Sequence, residues 1–488
     1  MSVLLVPAME ANRSAASSSR TGAIPLLAPV PVGVPPAFAH GLGQSYDLPL
    51  PLWLYLLGAG ATVLVSFVPI SLFGRHYGDR QPLRYARFDL LRIRPLRAVL
   101  TARAFLIALR VVSVALFLLV LLSGLLGRQA PTHNFAPTFV WIVWWVGLSF
   151  FTAFVGNVWP LLNPWKVLFE WAEGLAGRLK AGGGLGPHKP YPAGWGVWPA
   201  VLLYAAFTWV ELVFAGSSTP SNIATLALSY SVLTWGGMIV YGKDAWVRRG
   251  DAFSVYFDLL ARFAPTAESA ASEDPELRLR PFAVGLCRLD PPAPDRMVFV
   301  VLVLACVTYD GLLATPLWLE LVRLTPVSQT TGLFAMLLFF LAVYLAFVWL
   351  SRLSGGGGVS PGRLAAAYVY SLLPIAIAYQ VAHYFTYLLV QGQAIISHLS
   401  DPFGWGWNLF GTAGYDVRVG VVGAAFVWYS QVTLIVAGHV VAVYVAHEIS
   451  LRLLRDPWRA LRSQLPMLAL MILYTVSTLL ILSRPIVE

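Results

Sequence analysis

The sequence predicts an all-α, polytopic transmembrane bundle of about ten spans, with both chain ends outside. Three observations lead there. Hydrophobic residues make up 58% of the chain and charged residues 11%, against about 45–50% and 25% in soluble domains. Several near-uncharged stretches run 20 residues or more, enough to cross a hydrocarbon core of about 30 Å. Finally, every second connecting loop is basic, which gives one consistent topology under the positive-inside rule.

The spans are read at 50–73, 99–126, 136–156, 194–215, 222–242, 297–320, 329–351, 363–392, 417–446 and 464–484. Helices are expected because a lipid-embedded backbone must satisfy its own hydrogen bonds, and no period-2 alternation suggests a barrel. The basic loops are 74–98, 157–193, 243–296, 352–362 and 447–463. They are assigned to the cytoplasm, so the net charge of +10 reports topology rather than nucleic-acid binding. The bilayer is the expected partner, and a bacterial inner (cell) membrane the expected location.

Residues 1–39 carry the pattern of a signal segment, followed by a single integral membrane domain, 40–488. Ala37-Phe38-Ala39 is a small-x-small cleavage pattern, although five prolines between Thr21 and Pro36 are unusual for a signal h-region. Cleavage after Ala39 would make His40 the mature N-terminus, with an amine and an imidazole on one residue. Loop 243–296 has two parts. Trp246, Phe253, Tyr256, Phe257, Leu260 and Phe263 space like a helix lying on the cytoplasmic membrane surface, and 265–281 is polar. Asn163-Pro164-Trp165, Asp401-Pro402 and Asp456-Pro457-Trp458 carry the cap-then-proline pattern of helix starts. Cys287 and Cys306 form no metal or redox motif.

Candidate chemistry falls into three groups. His40, His133 and His398 share the outer face, with Asp47, Asp401 and Asp416 on the same side. Imidazoles so placed suit Cu(II) or Zn(II); copper is favoured, and His383 lies just below in span eight. His383 and His439 are costly inside the membrane unless paired, and an interhelical or backbone hydrogen bond is the structural alternative. The second group is charged. Arg110 falls near the middle of span two and Asp310 near the middle of span six, so each needs a partner, and pairing with each other is the simplest arrangement. Glu211 and Glu320 sit nearer outer ends. The third is a polar face on span eight, where Gln380, His383, Tyr384, Tyr387 and Gln391 recur at helical spacing. Such a stripe faces a cavity or bundle interior, or else forms an interfacial aromatic belt.

His40-Gly41-Leu42-Gly43-Gln44-Ser45-Tyr46-Asp47-Leu48-Pro49-Leu50-Pro51, running into an apolar span, resembles the start of bacterial multi-pass proteins labelled fenitrothion hydrolase-like. The resemblance implies organophosphate ester hydrolysis and supports an exposed His after the signal-like segment. It brings no catalytic residues, and the chain has no HxH, HExxH or G-x-S-x-G signature. Three readings therefore stand. One is an outer-face metal-handling or redox-associated protein, and another a proton-coupled transporter or channel using Arg110, Asp310, Glu211 and the polar face. The third is the membrane hydrolase that the resemblance implies.

Overall fold

A computed structural model describes residues 50–73, 85, 88–179, 185–268, 276–289, 293–325, 327–454 and 456–483. It is an all-α bundle, and among the described residues ten helices are long and apolar enough to cross a membrane. The chain is a multi-pass membrane protein.

Proline and side-chain caps set many of the helix starts. α1 is Leu52–Phe73, α2 Arg103–Leu126 and α3 Phe135–Phe154, of which Thr138–Gly147 is π-helical. α4 (Pro164–Leu179) begins where the Asn163 side chain accepts from the Lys166 amide at 3.0 Å. α5 is Trp198–Leu212, lengthened to a span by the turn Ala193–Trp195. α6 is Pro220–Tyr241, α7 Lys243–Arg249 and α8 Ala252–Ala261. α9 (Pro294–Leu313) ends before Thr315, whose hydroxyl accepts from the Trp318 amide at the start of α10 (Pro316–Leu324). Glu320, expected inside span six, therefore sits on this separate exposed helix and pairs with Arg323. α11 is Gln329–Ser354, α12 Pro361–Ser400 and α13 Ala424–Leu453. α14 (Pro457–Leu482) starts where Asp456 accepts from the Trp458 amide. Asp401 instead accepts from the Trp405 and Gly406 amides in a turn that starts no helix.

The centre of the bundle is α12. In its most apolar stretch 94% of residues are buried, against 11% for α2, which faces lipid. Glycines allow close crossings at two places. A Cβ at Gly438 on α13 would meet the Ala378 side chain and the Pro374 carbonyl on α12. One at Gly124 on α2 would strike the Pro220 carbonyl and Ala224 on α6. α1 packs on α13 and α14, so among the described residues the first span closes against the last two.

The expected surface helix of loop 243–296 is instead two helices broken at Gly250, and the second is inside the bundle. Tyr256 and Phe257 are fully buried, and α8 packs on α3, α5 and α12. Its aromatic residues cover more than one face, leaving only Asp258 exposed, so it has no broad polar side to offer to water. A small antiparallel sheet caps this region. β1 (Phe88–Asp89), β2 (Thr266–Glu268) and β3 (Leu277–Leu279) lie in the order β1-β3-β2. Arg280, just after β3, donates to the Ala261, Arg262 and Ala264 carbonyls and so closes the C-terminal end of α8, where helix carbonyls lack partners.

Candidate functional site

Gln380, His383, Tyr384 and Tyr387 lie on the inner side of α12 because their spacing of three and four residues keeps them on one face. Gln380, Tyr384 and Tyr387 are buried. Opposite them, α9 presents Asp310, sixteen residues into the helix or about 24 Å along it at 1.5 Å per residue. That is the outer third of the span, given the sidedness assigned by the basic loops. One carboxylate oxygen of Asp310, Oδ2, accepts from both neighbours on α12: His383 Nε2 at 2.9 Å and Tyr384 OH at 2.5 Å. The Asp310 and His383 side chains are only 15% and 12% exposed, so a protonated His383 would form a largely desolvated ion pair. The Tyr379 ring stacks on the His383 ring at 5.9 Å, and its hydroxyl lies against Gly311, where a Cβ would collide with it. Gly311 is therefore required beside Asp310 to let α9 and α12 approach.

A second carboxyl group faces this cluster. Glu211, near the end of α5, accepts from Trp145 Nε1 on α3 at 2.6 Å. It is within electrostatic reach of Asp310 and Tyr387. Deeper, Gln380 accepts from Tyr256 OH of α8 at 2.9 Å, and that hydroxyl lies 3.3 Å from Ser149 Oγ. The Tyr256 ring lies against Trp145, with centroids 4.9 Å apart. Asp310, His383, Tyr384, Glu211 and Gln380 thus belong to one polar region drawn from α3, α5, α8, α9 and α12. Gln391 lies at the outer end of the stripe in a 3-10 turn, half-buried. Chemically, a carboxylate shared by an imidazole and a phenol brings together three groups that can each gain and lose a proton.

Arg110 is not part of it. The expected pair with Asp310 is replaced by Arg110 Nη1 to Glu170 on α4 at 3.2 Å, and Lys243 also reaches Glu170 at 3.1 Å. The reason is depth. α2 starts at Arg103, so Arg110 sits in its second turn, at the end where α4 and α7 lie.

The histidines separate. His398 falls at the buried end of α12 rather than in an open loop, and its Nε2 donates to the Thr132 carbonyl at 2.9 Å. That fixes the proton on Nε2 and leaves Nδ1 a buried lone pair with no hydrogen-bond partner. His133 Nδ1 meets the Thr132 hydroxyl at 3.0 Å, and the two imidazoles are in electrostatic reach of each other. Among the described residues no three His, Cys, Asp or Glu side chains are grouped to hold a metal ion. His40 and Asp47 lie outside the described residues. His383 is engaged with Asp310, and His439 Nδ1 donates to the Ile435 carbonyl within its own helix at 2.8 Å.

Sequence reasoning missed Trp145, Glu170 and Asp251, and set Tyr256 on a surface helix rather than against Gln380. Asp251 is fully buried at the start of α8 and accepts from Tyr230 OH, Ser254 Oγ at 2.5 Å and Asn163 Nδ2 at 3.1 Å. Burial pushes its carboxyl above the usual carboxylate range, and these hydrogen bonds pull it back. The Gly-Asp-x-x-Ser run ahead of an apolar helix was a readable cap signal. The Trp145–Glu211 contact had none.

The chain matches no protein-family model, no curated protein and no solved structure.

Proposed function

We propose that this protein moves protons, alone or coupled to a solute, across a bacterial inner membrane. Asp310, His383 and Tyr384 form its proton-holding station and Glu211 is a neighbouring acid. The observation that carries this reading is the Asp310 oxygen that accepts from both His383 and Tyr384 inside the bundle. An ionisable group within a membrane span is expensive unless it is paired, and such groups mark ion and proton pathways. Proteoliposomes loaded with a pH-sensitive dye and energised by a potassium diffusion potential test it directly, with the proton itself as the probe. Wild-type protein is expected to acidify or alkalise the lumen faster than empty vesicles. Asp310→Asn should abolish that flux, and Tyr384→Phe should slow it, while both variants keep the wild-type elution profile. Flux in Asp310→Asn equal to wild type would sink the proposal, and so would none in wild type.

A second reading, an outer-face transition-metal site, is favoured by the bare Nδ1 lone pair of His398 beside His133. Copper(II) is the better-suited ion and zinc(II) the alternative. Titration of purified protein with each should give one equivalent bound, lost in His398→Ala. No binding, or binding unchanged in His398→Ala and His133→Ala, removes the reading.

A further inference from the structure

A cavity of about 480 Å³ lies between α2, α3, α5 and α6, lined also by Leu162, Pro164 and Trp165 and by Phe253 of α8, and it opens between the helices past Val112 and Leu233, which are exposed. This is within the range of about 300–1,000 Å³ typical of small-molecule sites, yet its chemistry differs from theirs. Apart from the Trp144 indole N–H, the groups lining it that could bind a polar ligand are turned away. Trp141, Trp159 and Trp165 donate their indole N–H to the Ser217 carbonyl, Ser254 Oγ and Ser231 Oγ. The Tyr230 hydroxyl goes to Asp251, the Ser113 hydroxyl to the Leu162 carbonyl and the Ser229 hydroxyl to the Thr225 carbonyl. An apolar cavity does not fill with water, and its walls lose their dispersion contacts if it stays empty.

The cavity is also long. Its lining on α2 runs from Leu109 to Val120, about 17 Å along the helix at 1.5 Å per residue and over half of a hydrocarbon core of about 30 Å. That shape suits a linear chain lying parallel to the spans. The lining residues Leu109 and Trp165 are followed in sequence by Arg110 and Lys166. Arg110, its side chain 36% exposed, pairs with Glu170 through Nη1, and Lys166 Nζ donates to the Pro160 carbonyl; a guanidinium carries five N–H donors and an ammonium three, so both keep donors for an anionic oxygen at the cytoplasmic end.

We infer that this cavity is a lipid site, taking one acyl chain of a bilayer phospholipid whose phosphate lies at Arg110 and Lys166. The inference is independent of any proton movement through Asp310. The test reconstitutes the full chain with a phospholipid carrying a diazirine in one acyl chain, followed by irradiation and peptide mapping. Labels should concentrate on 109–120, 139–148 and 223–233. Ala206→Trp, a substitution at an exposed position on the cavity wall, and Ala227→Trp should each lower labelling of these segments at least about five-fold by filling the volume. Arg110→Gln with Lys166→Gln should lower it with the phospholipid but not with a diazirine fatty alcohol. Labels spread evenly over all spans, or unchanged in Ala206→Trp, would overturn the site. Equal labelling by phospholipid in wild type and in the Arg110→Gln, Lys166→Gln variant would overturn the phosphate assignment.

Discussion

Replacing Asp251 with alanine removes the acceptor that joins three separate pieces of the chain. Tyr230 comes from α6, Ser254 from α8, and Asn163 from the turn that starts α4. All three donate to a carboxylate with no exposure to solvent. Each buried donor left unsatisfied costs about 1–3 kcal/mol. Ser254 retains contact with Trp159 Nε1 and with Asn163, so partial re-pairing is expected. The loss should be about 3–5 kcal/mol, at the high end for single substitutions. Asp251→Asn keeps one acceptor oxygen and should cost about 1–2 kcal/mol. The assay is thermal unfolding in detergent, followed by tryptophan fluorescence at fixed scan rate and protein concentration because unfolding of such proteins is often irreversible. Asp251→Ala melting within about a degree of wild type would refute the reasoning. The ionisation adds a second signature. Since the folded carboxyl is raised by burial, its contribution is fully present below the unfolded value of about 3.9 and is lost as pH rises through the folded value. Wild type should therefore lose stability relative to Asp251→Asn as pH is raised from about 4.

Two further outcomes follow from packing and burial. Gly438→Val should collide with the Ala378 side chain and the Pro374 carbonyl, costing about 1–3 kcal/mol or more; size-exclusion chromatography should show a lower yield of monodisperse protein, and a wild-type profile would count against the close crossing. Cys287 and Cys306 are both buried, and burial, with Glu448 adding to it against Arg452, pushes the Cys287 thiol up to about 12. Maleimide in native membranes at neutral pH should label neither cysteine, and both should react after SDS; rapid labelling of the native protein would contradict the buried placement.

The bundle was readable because its signals are local and redundant: long apolar runs, basic loops in alternation, and prolines at helix starts such as Pro164 and Pro457. The stripe on α12 was readable for the same reason, since its period is a property of one helix. Pairing was not. Arg110 was placed too deep because the span was extended back through Thr101 and Ala102, where the backbone breaks between the helix Arg94–Leu100 and α2. Glu170, its actual partner, sits on a helix whose approach no local pattern announces. The Trp145–Glu211 contact joins residues far apart in the chain through an indole donor, and tryptophan reads equally well as membrane-interface or core. α8 was misassigned because one apolar face implies a surface helix, whereas its remaining aromatic residues are buried by α3, α5 and α12.

The packing of α1 on α13 and α14 bears on how the chain is made. About 400 residues separate Gly60 from Ile472, against which a Cβ at Gly60 would pack, and at about 5–20 residues per second the ribosome needs roughly 20–80 s to cover that distance. α1 therefore waits for these two neighbours until the stretch between them has been made. During that interval it lacks both partners, with a proline, Pro69, in its final turns. Chains that stop before α13 would leave this helix with an orphaned face, a natural handle for membrane quality control to recognise.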